Sequence, residues 1–167
     1  IISAFKSLMV LGVMSAVLGG CVSTQYLSKQ EAYPSMYEQK PISIMVVPAV
    51  NDSTAAEAGD YYSATIAPSL SYSGYYVLPM EVTTAMLRSE GIQDGRQLLE
   101  VPAEKFGAMF GADAVLFVNI TEWDTNYYVI GGNVAVAVSF HLKYTKTGET
   151  LWSYKARREV STSGSSN

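Results

Sequence analysis

The last third of the chain leaves little choice of architecture, because from Ala114 onward it consists of three long strand-forming runs joined by short turn signals. Residues 114–130 begin apolar on both faces (Val115, Leu116, Phe117, Val118) and then alternate through Asn119, Ile120 and Thr121. That pattern predicts a strand that is central at its start and half exposed further on. Gly131-Gly132 predicts a two-residue hairpin turn, since two glycines suit the positive φ angles of type I′. The return strand sets Val134, Val136, Val138, Phe140, Leu142 and Tyr144 against Ala135, Ala137, Ser139, His141 and Lys143. A second turn at Thr147-Gly148 leads to Trp152, Tyr154 and Ala156 alternating with Ser153, Lys155 and Arg157. The result is an antiparallel meander with one apolar face that other elements must cover.

The covering elements come earlier. Pro41 to Pro48 is a β-branched, apolar run that reads as a buried central strand. Thr54 and Glu57 fit a T-x-x-E capping box, predicting a helix over 55–71 with Tyr62, Ile66, Ser69 and Leu70 on one face. Pro68 should kink that helix or end it early. Tyr75 to Leu78 reads as a short strand, Glu81 to Glu90 as a helix stopped by Gly91, and Pro102 to Phe110 as a helix stopped by Gly111. The predicted order is β-α-β-α-α-β-β-β over residues 41–160. This is an α+β, two-layer domain, helices on a mixed sheet that ends in a three-stranded meander.

Ahead of the domain lies a different kind of sequence. Lys6 precedes the uncharged run Leu8 to Leu18, which is followed by Gly19, Gly20 and Cys21. A positive residue, an apolar stretch of ~7 to 15 residues and small residues at a cleavage point outline a secretory signal. The run is too short to span ~30 Å of hydrocarbon. Leu18-Gly19-Gly20-Cys21 resembles the bacterial lipobox, in which a peptidase cuts before a cysteine that carries diacylglycerol and an N-acyl chain. Residues 1–20 are therefore expected to be a signal peptide, Cys21 the lipidation site, and 21–40 a polar tether that drapes over the domain. Val22 is not the aspartate that marks inner-membrane retention in enterobacteria, which favours the outer membrane, with the domain periplasmic or surface-exposed. Residues 161–167 read as the start of a polar linker, and the chain is expected to continue beyond Asn167.

The lipobox, the strand and helix order, the segment GADAVLFVNITEW and the strands GGNVAVAVSFHLKY and TGETLW together resemble a family of bacterial lipoproteins of unknown function that includes a neisserial surface antigen. The resemblance implies a fold similar to the amino-terminal domain of TolB. The same general fold occurs in the curli-secretion channel lipoprotein CsgG and in an outer-membrane lipoprotein that activates peptidoglycan synthases.

Chemistry is sparse. With one cysteine and one histidine the chain lacks the clusters of a structural zinc site, and its net charge of −4 offers no attraction to a phosphate backbone. No nucleic-acid partner, metal or cofactor is expected beyond the lipid on Cys21. His141 sits among polar strand residues with no cysteine left to activate. Asp52, Glu57 and Asp60 are explained as helix-start residues, and Glu122 and Asp124 as an exposed strand end flanking Trp123. No phosphate-binding glycine loop occurs. The tyrosine pairs Tyr61-Tyr62, Tyr75-Tyr76 and Tyr127-Tyr128 are the candidate interface, because neighbouring rings must point differently and some should face water or a partner. Packing of the same rings against the core is the other reading. The hairpin 127–142 could insert in a membrane, but a sheet over helices explains it with fewer assumptions. The expected function is a non-catalytic outer-membrane lipoprotein, a subunit of an envelope secretion or transport assembly. Its expected partners are the membrane, other envelope lipoproteins or a channel-type lipoprotein, and further copies of itself. Regulation of a peptidoglycan synthase is the alternative, and an envelope hydrolase using His141 or the acidic helix start a more distant one.

Overall fold

The computed structural model describes residues 27–128 and 131–161. Residues 1–26, on which the expected signal peptide and lipidation site Cys21 fall, and residues 162–167 lie outside the described residues. In chain order the elements are α1 (Lys29–Ala32), α2 (Pro34–Gln39), β1 (Ser43–Val46), β2 (Val50–Asn51), α3 (Ala58–Tyr72), β3 (Tyr76–Val77), α4 (Met80–Ser89), a 3-10 turn (Gly95–Leu98), α5 (Ala103–Phe110), β4 (Ala114–Tyr128), β5 (Gly131–Tyr144) and β6 (Thr150–Ser161). The sheet runs β3-β1-β4-β5-β6, with β2 pairing β4 alongside β1. β1 is parallel to β3 and β4, and the meander β4-β5-β6 is antiparallel. This is the expected α+β fold on a mixed sheet.

Alternation along β1 and β4 distributes the helices over both faces of that sheet. Ile44, Val46, Leu116, Val118 and Ile120 join one buried cluster, against which Tyr62, Ile66 and Leu70 of α3 pack at successive i, i+4 spacings. Met45, Val47, Val115 and Phe117 point the other way, into a cluster closed by Leu87 of α4, Leu98 of the 3-10 turn, and Ala103 and Phe106 of α5. Expectation had one helical layer. Two form because β1 and the start of β4 are apolar on both faces, as central strands of α/β sheets are.

Four local expectations are corrected. Gly131 and Gly132 do not make the hairpin turn: they pair with Tyr128 and Tyr127 inside the ladder, and residues 129–130 lie outside the described residues. Register is fixed at the far end of the hairpin by Leu116↔Leu142, Val118↔Phe140 and Ile120↔Val138, and sliding the strands onto a glycine turn would separate those core pairs. The Thr54/Glu57 capping box does not form. Asn51 instead organises a turn, its Oδ1 accepting from Ser53 N (3.0 Å) and its Nδ2 donating to Ala55 O (2.7 Å), so the helix starts only at Ala58. Thr54 Oγ1 donates to Asp124 Oδ1 at 3.2 Å. Nor does Pro68 end α3, which continues to Tyr72. Ile66 and Leu70 anchor the helix on both sides of the proline, and this packing offsets the ~3 kcal/mol that an interior proline costs. The fourth correction concerns 29–39, where the irregular tether is two short helices.

An irregularity in β4 sets the direction of one tryptophan. The pairing shifts between Ile120↔Val138 and Glu122↔Ala137, so Thr121 is an extra residue, a β-bulge. It turns Trp123 to the same face as Ile120, where it packs on the α3-side cluster and stacks on Tyr61 at 6.4 Å. Without the bulge that indole would face the opposite side.

Loop and helix connections are held by specific contacts. Gly111 takes φ +70° and closes α5, as its position predicts. Gly95 has a different reason to be glycine. A Cβ there would lie 2.3 Å from Pro48 O and 2.9 Å from Ala49 C, so the 3-10 turn can rest on the backbone after β1 only because residue 95 has no side chain. At the start of β1, Asp113 Oδ2 accepts from Ile42 N (3.0 Å), Ser43 N (2.9 Å) and Ser43 Oγ (3.0 Å). The hydrogen bond from the Ser43 amide lowers the Asp113 pKa against the opposing effect of burial, with Ile42, the Ser43 hydroxyl and Lys146 adding to it.

Candidate functional site

The two faces of the sheet differ in one respect that bears on function: the α3 face is open at one end. Between α2 and α3 lies an apolar groove of about 1090 Å³ that reaches down to the sheet. Its floor is Ile44, Leu116 and Leu142, and one wall is Ile66, Leu70 and Tyr75. Phe140, Trp152 and Tyr154 close it toward β6. These three rings form a continuous aromatic surface, with Phe140 to Trp152 at 5.8 Å and Trp152 to Tyr154 at 5.9 Å, the latter nearly parallel. Cross-strand pairing explains their meeting, since Phe140 lies opposite Tyr154 and Leu142 opposite Trp152.

The remaining wall is made by the polar segment expected to drape over the domain. Ser28 and Glu31 form a reciprocal capping box at the start of α1, Ser28 N donating to Glu31 Oε2 (2.8 Å) and Glu31 N to Ser28 Oγ (3.2 Å). The Ser28 hydroxyl is the main reason the Glu31 pKa is lowered. Pro34 opens α2 in the first-turn position. Tyr33 Oη donates to Ser153 O (3.2 Å) while its ring tilts against Trp152, and Ser35 Oγ donates to Glu149, so the segment is fastened along β6. Sequence reading missed this wall. The S-x-x-E pattern at 28–31 followed by Pro34 was the available signal; the contacts with Trp152 and Ser153 are too distant in sequence to have one.

The tyrosine pairs divide as neighbouring side chains must. Tyr62 is half-buried and tilts against Phe140 at 5.9 Å, and burial raises its pKa well above the usual phenol range. Its neighbour Tyr61 is 62% exposed. Tyr75 lines the groove, its pKa raised by burial and then by Tyr37, whereas Tyr76 is 62% exposed. The backbone of Tyr127 and Tyr128 belongs to the ladder, and their side chains lie outside the described residues. Tyr72, at the end of α3, is 93% exposed.

The other polar candidates are occupied by structural work. Asp52 pairs with Arg96 and accepts from Asn119 Nδ2 (3.0 Å), which takes it away from Glu57 and Asp60. Glu122 receives both Nε and Nη2 of Arg157 at 2.8 Å, and Arg157 reaches Glu159 at 3.0 Å. The hydrogen bond from Arg157 is the main cause of the lowered Glu122 pKa. Asp124 takes the Thr54 hydroxyl. His141 is exposed on β5, opposite Phe117 on one strand and Ser153 on the other. Among the described residues no group of three or more His, Cys, Asp or Glu side chains converges as a metal site, and no helix is long and apolar enough to cross a membrane.

Comparison with known proteins gives these features a context. The profile of the GNA1162-like lipoprotein family matches residues 31–167. A lipoprotein of Neisseria meningitidis serogroup B, NMB1124/NMB1162, is 35% identical over 124 residues, 74% of this chain; the chain spans 58% of that protein's length. The crystal structure of lipoprotein GNA1162 from Neisseria meningitidis superposes with a TM-score of 0.69 at 32% identity, covering 75% of this chain and 87% of that one. The C-terminal domain of LpoB from Salmonella enterica shares the fold (TM-score 0.53, 19% identity, 70% and 81% coverage). So does PelC from Paraburkholderia phytofirmans, solved as a dodecamer (0.51, 20%, 71% and 72%). At such identities the last two likenesses are of fold alone. The profile match over most of the chain, together with the meningococcal relative, shows that this protein belongs to the GNA1162-like lipoprotein family.

Proposed function

We propose that the protein is a non-catalytic lipoprotein of the outer membrane, anchored through acyl chains on Cys21, and that it serves as a subunit of an envelope secretion or transport assembly. The observation that carries this reading is the outward placement of Tyr61, Tyr72 and Tyr76 on α3 and β3. Beyond the stacking of Tyr61 on Trp123, these exposed rings add little to a monomer's core, whereas tyrosine is a favoured interface residue because it contributes large area at small entropic cost. Family membership supplies the lipoprotein character, and the PelC dodecamer shows that this fold can build a multi-subunit body. A second reading, regulation of a peptidoglycan synthase, rests on the fold likeness to LpoB and on the resemblance in strand and helix order to an outer-membrane synthase activator.

The test places a photo-crosslinking residue at Tyr76 in the full chain within native membranes. One reproducible cross-linked envelope protein, or a ladder of self-linked copies, is the expected result. A solitary monomer under the same conditions overturns the assembly reading. Synthase assays with and without the protein separate the second reading from the first. Cys21→Ala should release the chain from membranes, and retention would count against the anchor. If His141→Ala abolished a measured hydrolytic activity while the protein stayed folded, the non-catalytic reading would fall.

A further inference from the structure

One edge of the sheet has no neighbour. Among the described residues β6 pairs only with β5, and from Leu142↔Trp152 to Asn133↔Ser161 it carries neither a proline nor a bulge to blunt it. Hydrogen bonds elsewhere fix which of its backbone groups face outward. Leu116 O accepts from Val47 N (3.2 Å), which turns Phe117 and its partner His141 toward each other and leaves Leu142 to face β6. Trp152, Tyr154, Ala156, Arg158 and Val160 then face β5, and the N–H and C=O of Ser153, Lys155, Arg157 and Glu159 point away from the sheet. Tyr33 Oη donates to Ser153 O at 3.2 Å, in agreement with that direction, and marks where the edge is covered. From Lys155 onward the outward groups have no partner among the described residues.

The side chains along this edge are self-complementary about Arg157. Tyr154 and Val160 lie at equal distances before and after it, both exposed and on the α3 face; Lys155 and Glu159 do the same on the other face, with opposite charges. We infer that β6 pairs with β6 of a second copy, antiparallel about a two-fold axis at Arg157, so that two sheets become one. Tyr154 then lies opposite the second copy's Val160, and Lys155 opposite its Glu159. Outward groups pair only with outward groups, and the adjacent registers are worse. Centring on Ala156 sets Lys155 against Arg157, and centring on Arg158 sets two Arg158 side chains face to face. At the axis itself Arg157 is out of the way. Its guanidinium reaches back across Ala137 to Glu122, with Nε and Nη2 each 2.8 Å from the carboxylate. The opposite edge of the sheet is no rival partner, since β3 is only Tyr76–Val77 and Pro79 follows it closely. One strand pair is a small contact, below ~1,200 Å², so a dissociation constant on the order of micromolar is expected. The pairing deepens the assembly reading and rests on it for its role in the envelope, while its geometry rests on β6 alone.

The test is sedimentation velocity of the purified full chain in non-ionic detergent over a concentration series spanning the micromolar range, where monomer should convert to dimer. Lys155→Glu sets like charges opposite each other at both symmetric positions and should weaken the dimer roughly tenfold. Lys155→Pro removes an N–H that the β5 ladder does not use, so it should abolish the dimer while far-UV circular dichroism stays unchanged. Cysteine pairs read the register. In a Cys21→Ala background, Tyr154→Cys/Val160→Cys should give on oxidation a dimer whose disulfide joins position 154 of one copy to 160 of the other, whereas either single substitution should stay monomeric. A monomer at every concentration, a dimer indifferent to both Lys155 variants, or disulfide-linked dimers from the single cysteine variants overturns the inference. Failure here leaves the outcome of cross-linking at Tyr76 untouched, so the pairing and the assembly reading can fall separately.

Discussion

The two faces of the sheet are built from alternate residues of the same strands, yet one is sealed and the other is not. On the sealed face α4, the 3-10 turn and α5 converge on β1 and the start of β4, and Phe106 meets Phe117 edge-on at 5.8 Å. On the open face α3 covers the centre, and a separate two-helix segment covers the side toward β6, leaving the groove between them. The sealed face is assembled from helices with short connections, whose packing is decided locally. The open face needs residues 28–39 to travel to β6, over a hundred residues away in sequence. Stability should therefore be concentrated on one face and recognition on the other.

Substitutions can break this contrast, beginning with the strongest. Phe106→Ala removes a side chain that is 1% exposed and should cost about 3–5 kcal/mol in urea-induced unfolding. Phe140→Ala on the groove wall should cost about 1–2 kcal/mol, because that ring is only half-buried. Equal losses would show that the two faces are equally integral to the core. Asp113→Ala, which strips three hydrogen bonds from the start of β1, should cost about 1.5–3 kcal/mol. Its charge also makes a pH prediction. The folded-state pKa lies below the unfolded value of about 3.9, so the carboxylate's contribution is fully present above that pH and is lost as pH falls through the folded pKa. Denaturation titrations of Asp113→Asn should show a shallower loss in that acidic window than the parent protein.

Gly95→Ala should lose about 1–3 kcal/mol, since the added methyl meets the Pro48 carbonyl and the Ala49 carbonyl carbon, which are backbone atoms that cannot rotate away. The smallest effect belongs to the exposed aromatic surface. Tyr76→Ala should stay within about 0.5 kcal/mol of the parent while altering cross-linking or mass distribution in membranes. A large stability loss there would mean that Tyr76 serves the fold.

Much of the fold was legible because it depends on nearest neighbours. The meander's alternation, the apolar run between Pro41 and Pro48, and the glycine stops at Gly91 and Gly111 report local geometry, and each appears where expected. The failures are places where a distant contact outweighed a local signal. Thr54 had a capping role available but bonds to Asp124 instead, and Pro68 lies between two anchors that keep α3 helical. The tyrosine doublets were visible, but which ring of each pair turns inward depends on where α3 and β3 lie on the sheet. The groove could not be read at all, because its lining comes from well-separated stretches of chain.

By itself, then, the sequence determined the main strands and helices of residues 41–160 and which faces must be buried, because a period of two or of 3.6 residues is written in the order of side chains. Through its resemblance to known lipoproteins it also pointed to the family. The tertiary structure alone decided the register of the long hairpin, the bulge that turns Trp123 toward Tyr61, and the docking of residues 28–39 on β6. Those choices are made by contacts between residues far apart in the chain, where many pairings satisfy the local pattern and only close packing of the whole separates them.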